Sequence, residues 1–152
     1  MANRGPAQAH AALLAKLGGL VGGRAYRGYF TPVDQPAMAT PYMCVPWEGQ
    51  DIALEHEDGT PLLRLVVPFT VYGFVGETSA DPTSPQAGRR AAEIAETVLK
   101  ALALDPTLGG SVDDLTLSPV PRVYDSGPVD AFGEFQMGVS LLLFAGADNL
   151  GT

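Results

Sequence analysis

The stretch DIALEHEDGTPLLRLVVPFTVYGFVG, residues 51–76, carries the strongest β-hairpin pattern in the chain. Asp58 and Gly59 favour the positive φ angles of a tight turn between two runs of alternating side chains. We therefore predict a long hairpin over residues 51–75. On its second arm one face is apolar and the other only half polar, which leaves the second face available to a neighbouring subunit. The apolar face holds Leu63, Leu65, Val67, Phe69, Val71 and Val75, and the half-polar face holds Leu62, Arg64, Val66, Thr70, Tyr72 and Phe74.

A helix is predicted before the hairpin, over residues 6–22. Pro6 suits the first helical turn, and the thin apolar stripe that follows is typical of a helix packed on a sheet. Glycine pairs at residues 18–19 and 22–23 offer two alternative ends. His10 lies on this helix, and because no second His or Cys is near it, we expect it to be a solvated or edge residue.

A second, more amphipathic helix is predicted over residues 85–104, with Ser84 as its N-cap and Pro85 as its first helical residue. Two shorter strands are predicted between the first helix and the hairpin, at residues 24–30 and 42–48. The second of these contains a proline, which is typical of an edge strand or a bulge.

The sequence LALDPTLGGSVDDLTL, residues 102–117, packs three Asp into the gap after the second helix. A calcium loop would need acidic residues at alternate positions and a closing Glu, and a magnesium site would need carboxylates from distant segments. The stretch has neither pattern. We interpret it as a turn that ends the helix at Asp105 and leads into a strand.

Apolar and polar residues alternate over residues 131–144, which predicts a long final strand whose second face changes from polar to apolar. Residues 146–152 lack a packing pattern and are expected to form a flexible tail. We therefore predict one domain over residues 1–152. Its class is α+β, with a mixed, mostly antiparallel β-sheet and two main helices packed on one face.

The formal net charge of −8 over 152 residues argues against a general nucleic-acid binder, because such proteins need clustered Lys and Arg. The charge is uneven, since residues 1–30 contain four cationic residues and no acidic one. Arg24 and Arg27 in this segment are therefore candidates for contact with an acidic neighbour or a polyanion.

Several kinds of chemistry lack the residues they need. Cys44 is the single cysteine, and His10 and His56 are the two histidines, which is too few for a disulfide or a Cys/His zinc site. We interpret Cys44 as a buried apolar filler and His56 as a solvated residue near the hairpin turn. No phosphate-binding glycine loop or nucleophile elbow occurs, so we expect no enzyme activity, cofactor or metal. No stretch has the length and apolarity of a membrane span, so we expect no membrane partner.

Three segments carry a resemblance to a known family: the second helix from Gln86 to Leu104, the phrase DPTLGG-VDD within residues 105–114, and the final strand from Ala131 to Phe144. With the preceding helix, short strands and hairpin, this layout resembles the tail terminator and minor tail, or tail-completion, proteins of long-tailed bacteriophages and gene transfer agents. The resemblance extends over residues 11–145.

The resemblance implies a hexameric ring that caps the tail tube, stops its elongation and offers a head–tail joining surface. It implies a virion protein of the tail–neck junction, assembled in the host cytoplasm, without catalytic residues. The implied partners are further copies of the chain, the tail tube protein, a head-side connector or neck protein, and DNA that passes through the channel without sequence-specific binding. The candidate subunit or DNA-channel contacts are Arg24, Arg27, Arg64 and Tyr72.

Two alternatives stay open. The long, proline-bearing segments 31–41 and 77–84 also suit another neck or head-completion (connector) protein. A small α/β enzyme or ligand-binding domain is the alternative from a different class, because a site assembled from distant residues leaves no local pattern.

Overall fold

The computed structural model describes residues 4–35, 40–81, 83–118, 122–125 and 131–150. Over these residues the chain forms two α-helices and one mixed, mostly antiparallel sheet of seven strands, which confirms the predicted α+β class. The helices are α1 (Pro6–Gly18) and α2 (Ala87–Ala103). The strands are β1 (Ala25–Tyr26), β2 (Tyr42–Cys44), β3 (Ala53–His56), β4 (Leu62–Gly76), β5 (Asp114–Leu117), β6 (Arg122–Asp125) and β7 (Phe132–Gly146).

Two long strands form the centre of the sheet. β4 and β7 pair antiparallel along their whole length, from Leu62 opposite Gly146 to Gly76 opposite Phe132. The short strands β2 and β3 both pair with the other edge of β4, and β5 and β6 both pair with the other edge of β7. β1 adds to β2 in parallel. Two short strands in succession therefore pair with the outer edge of each long strand, so that each outer row of the sheet is interrupted part-way.

The hairpin is formed by β3 and β4, which pair from Ala53 opposite Val66 to His56 opposite Leu63. At its turn Gly59 has a φ of +80°, and the Thr60 amide donates to the Glu57 carbonyl at 3.1 Å. The left-handed backbone at Gly59 is the conformation that the Asp58-Gly59 pair predicts.

Both helices pack on the same face of the sheet, where the alternating apolar residues of β4 and β7 point. Burial of this apolar surface is the main force that holds the helices to the sheet. The helices contribute Ala9, Leu13, Leu17, Ala95, Val98 and Leu102, and the long strands contribute Val67, Phe69, Val71, Phe135, Met137, Val139, Leu141 and Leu143.

α1 ends at Gly18, the earlier of the two predicted ends, and residues 19–23 form turns with positive φ at Gly22 and Gly23. The expectation that His10 is solvated is wrong. The residue is 3% exposed, and its ring lies 4.9 Å from the ring centroids of both Phe69 and Trp47. Its Nε2 lies 2.7 Å from the Val45 carbonyl oxygen, so the buried ring nitrogen has a partner.

α2 begins at Ala87 and not at Pro85, and the predicted Ser84 cap is wrong: Gln86 precedes the helix and makes no capping bond with its side chain. Glu77, ten residues before Ala87, provides the capping side chain instead. Its carboxylate accepts the backbone N–H groups of Gln86 at 3.0 Å and Ala87 at 2.9 Å. An anionic side chain is stabilising there because the first amides of a helix lack partners and carry partial positive charge.

The acid-rich stretch after α2 forms a turn. Leu108, with a φ of +48°, is buried in the core, and Gly109 and Gly110 reverse the chain with φ of +69° and +91°. The Asp105 carboxylate accepts the Gly109 amide at 3.0 Å and forms an ion pair with Lys16 at 3.1 Å. These two contacts hold the pKa of Asp105 below its usual value, the amide hydrogen bond being the larger cause.

Two further expectations differ from the structure. The strand predicted over 24–30 is limited to β1, and Tyr29 and Phe30 pack against the face of the sheet opposite the helices. Residues 146–150 of the predicted flexible tail are attached to the fold: Ala147 donates to the Pro61 carbonyl at 2.9 Å, and Leu150 packs against the core. Residues 151–152 lie outside the described residues. Neither described helix has the length and apolarity to cross a membrane.

Candidate functional site

The face of the sheet opposite the helices is the surface on which the sequence places Arg64 and Tyr72. We call it the helix-free face. It is formed by the alternate residues of β4 and β7 that point away from the helices, and it has a covered end and an open end. The residues are Arg64, Val66, Pro68, Thr70, Tyr72 and Phe74 on β4, and Phe132, Glu134, Gln136, Gly138, Ser140, Leu142 and Phe144 on β7.

An aromatic cluster closes the covered end. Phe30, in the segment that follows β1, stacks on Tyr42 with ring centroids 4.8 Å apart, and Tyr42 Oη donates to the Phe30 carbonyl at 2.9 Å. Cys44, fully buried in this cluster, confirms the interpretation of a buried apolar filler. Burial raises the pKa of the Cys44 thiol, which opposes formation of the thiolate that a nucleophile needs.

Tyr72 lies at the margin of this cluster. Its ring meets that of Tyr29 edge-on, with centroids 4.9 Å apart. Burial raises the pKa of the Tyr72 phenol, and a hydrogen bond to the Glu48 carboxylate together with its charge raises it further. Tyr72 is therefore a neutral hydrogen-bond donor that links the sheet to the segment after β2, and not an acid–base group.

Glu134 is a buried acid on this face that the sequence does not single out. It is 5% exposed and has two polar neighbours: Gln136 Nε2 donates to its Oε1 at 3.3 Å, and the Tyr124 hydroxyl hydrogen-bonds to it. Burial and that hydrogen bond raise the pKa of Tyr124 to about 12. Alternation gives no sign of this burial, because it indicates which face a residue points to and not what covers that face.

The open end combines apolar and charged side chains. Arg64 and Phe144 are opposite each other on β4 and β7, and Phe144 is 42% exposed. Leu62, two residues before Arg64 and on the same face of β4, is also exposed. Arg64 Nη1 lies 3.7 Å from Glu55 Oε2 on β3. The Glu55 side chain is largely in solvent and that of Arg64 is partly exposed, so this pair contributes little to stability.

The structure does not bring Arg64 and Tyr72 to one centre, because they share a face of β4 but lie about 26 Å apart along the strand. Arg24 is half-buried, and its Nε donates to the Pro41 carbonyl at 2.9 Å. Arg27 is exposed and has no ion pair within the part of the chain that the structure describes.

Among the described residues, no group of three or more His, Cys, Asp or Glu side chains is placed to hold a metal ion. On the helix-free face Gln136 donates to Glu134, and Arg64 pairs with Glu55 of β3. The exposed features of this face are a patch of apolar and basic side chains on two rigid strands, an arrangement suited to contact with another macromolecule.

No protein-family model matches this chain, and no curated protein does. Among solved structures, the chain is similar to one from a structure described as "Virion of native gene transfer agent (GTA) particle", with a TM-score of 0.48 and 13% sequence identity. That similarity covers 93% of this chain and 100% of the other.

Proposed function

We propose that this chain is a structural protein of a phage-like particle, a tail terminator whose copies form a ring on the end of the tail tube. The observation that carries the proposal is the helix-free face, whose open end presents Phe144, Leu62 and Arg64 to solvent on the two longest strands. The resemblance of the sequence to tail terminator and minor tail proteins supports a phage-like tail as the assembly.

The sheet gives such a ring a rigid subunit. β4 and β7 pair over their whole length, and the two helices cover only one face. The contact surface therefore needs no folding on binding, which keeps the entropic cost of assembly low. Closed rings arise when one surface of a subunit meets a different surface of the next, and this chain has different surfaces on its two faces.

In this proposal the protein resides at the tail–neck junction of the virion, and its partners are the tail tube protein and a head-side connector or neck protein. DNA crosses the ring without sequence-specific binding, since a net charge of −8 disfavours tight phosphate contacts. Arg24 and Arg27 are exceptions to this acidic character, and in this proposal they face an acidic neighbour or the channel.

The experiment mixes the purified protein with growing tail tubes and combines light scattering with electron microscopy. A six-fold ring at one end of tubes of fixed length is the expected result. Tubes that keep growing and carry no added density would contradict the proposal. Binding to the head-side connector but not to tubes would instead assign the protein to the neck. The variant Arg27→Glu, with Arg89→Glu as a control on the exposed side of α2, then tests the basic residues.

A further inference from the structure

An apolar groove lies at the N-terminal end of α1, away from the helix-free face. Its volume is about 610 Å³, and its walls are formed by Pro6, Ile52, Leu54, Leu63, Leu65 and Leu150. Leu54 on β3 is 60% exposed and Ile52 is 39% exposed, so both apolar side chains reach into solvent. Such a wall favours an aliphatic side chain over a polar ligand, because it offers a ligand few hydrogen-bond partners.

Leu104 is the complementary feature elsewhere on the same chain. At 76% exposure it is the most exposed large hydrophobic side chain among the described residues, and it projects from the end of α2. The backbone at Leu104 is fixed, since its amide donates to the Lys100 carbonyl at 3.0 Å and the next residue, Asp105, is paired with Lys16. Binding therefore costs only the rotamer freedom of the leucine side chain, which is smaller than that of a long flexible side chain.

The charges beside the two features have opposite signs. Lys100 lies one helical turn before Leu104, is exposed, and has no ion pair in the described part of the chain. Next to the groove, the exposed Asp51 precedes Ile52. Opposite charges at the rims of two surfaces favour their encounter and fix their orientation.

We propose that Leu104 of one copy inserts into the groove of the next copy, with Lys100 facing Asp51. The groove residues and Leu104 form separate surfaces, so the contact is head-to-tail and can repeat around a closed ring. This inference rests on the proposed function for its setting, because it adds a second contact between neighbours of the terminator ring, separate from the helix-free face.

Self-association measured by sedimentation over a range of protein concentrations tests the contact. Leu104→Ser and Leu54→Ser are each expected to weaken association at least tenfold, because each removes a leucine from an apolar contact. Val33→Ser, at a side chain that is 52% exposed and outside the groove, is the matched control and should not change it. Circular dichroism checks that all three variants fold.

Cysteine cross-linking then tests the geometry, since the native Cys44 is buried and shielded from reaction. Mixing Leu54→Cys with Leu104→Cys under oxidising conditions should give more disulfide-linked dimer than either variant gives alone. The variant that carries both cysteines should give a ladder of multimers. Absence of such cross-links in concentrated protein overturns the contact. If wild type caps tubes with rings while both serine variants do so equally well, the contact is wrong and the terminator function stands. If cross-links form but tubes stay uncapped, the function is wrong and the contact stands.

Discussion

His10 illustrates how one residue can connect three elements. Its ring packs against those of Phe69 of β4 and Trp47, which also contact each other, and its Nε2–H donates to the Val45 carbonyl. Burial lowers the pKa of His10, an effect that outweighs the opposing hydrogen bond to Val45. The neutral ring is therefore the form that the folded protein stabilises.

We predict that His10→Ala lowers the free energy of unfolding by about 3 kcal/mol, because it leaves a cavity and a buried carbonyl without a donor. Urea unfolding at neutral pH measures the change. The pH dependence follows from the direction of the pKa shift. As pH falls below the ordinary His value of 6.5, the unfolded chain takes up the proton first, so wild-type stability drops. His10→Gln keeps a donor for the Val45 carbonyl but does not titrate, so its stability should not fall in this pH range. If the stability of His10→Gln depends on pH as that of the wild type does, His10 is not the group responsible.

At the scale of elements, the start of α2 depends on a side chain from the end of β4. Glu77 follows β4 directly, and its carboxylate binds the amides of Gln86 and Ala87, with a further bond to Ser79 at 2.9 Å. These hydrogen bonds hold the pKa of Glu77 below its ordinary value, with burial opposing them weakly. The strand, the loop and the helix therefore share one anchor.

We predict that Glu77→Gln lowers the thermal midpoint and that Glu77→Ala lowers it further, whereas Glu93→Gln on the exposed side of α2 has little effect. Because the folded pKa of Glu77 is lowered, its contribution is complete above the ordinary value of 4.5 and is lost as pH falls through the folded value. Calorimetry from pH 7 to pH 3 should show the gap between wild type and Glu77→Gln closing in acid. A constant gap would show that the charge has no part in capping.

The pairing of β4 with β7 contains two glycines at which a Cβ would overlap neighbouring atoms, Gly73 on β4 and Gly133 on β7. Gly73 is opposite Phe135, and a Cβ on Gly73 would overlap the Phe135 ring. The fully buried ring of Phe135 covers the glycine and fills the space that a side chain would occupy.

We predict that Gly73→Ala destabilises the protein by about 1–3 kcal/mol through overpacking. Phe135→Leu should partly relieve the effect in the double variant, since it removes the overlapping ring atoms. Gly28→Ala is the control, because nothing lies within 4 Å of a Cβ at that position. Chemical denaturation of the wild type, the two single variants, the double variant and the control gives the comparison, and additive effects in the double variant would argue against the overlap.

At the scale of the whole molecule, the fold class follows from periodicity. Alternation along residues 62–76 and 131–144 records which side of the sheet each residue faces, and the helical stripe at residues 91–102 does the same for α2. The burial of His10, the capping by Glu77 and the hydrogen bond of Tyr124 to Glu134 depend on partners in other segments of the chain. Local sequence patterns do not show such partners. For the same reason the sequence identifies the candidate contact residues but not their relative positions; these residues are Arg24, Arg27, Arg64 and Tyr72.

The proposed ring gives a prediction for the basic residues. Arg27→Glu should reduce ring formation or the joining of heads to tails, because Arg27 is exposed and has no ion pair in the described residues. Arg24→Glu should in addition lower stability, since Arg24 also binds the Pro41 carbonyl. Particle yield and thermal midpoint, measured for each variant, separate the two effects. Intact rings and normal joining in the double variant would remove these arginines from the assembly.

The interrupted outer strands affect how the protein behaves before it assembles. β3 and β5 are each four residues long, and their outer edges have no partner in the described sheet. Both carry acidic residues, Glu55 on β3 and Asp114 on β5, and short charged edges resist the strand-to-strand stacking that leads to insoluble aggregates. These edges therefore disfavour aggregation of the free chain, which the proposed ring requires of subunits that have not yet joined it.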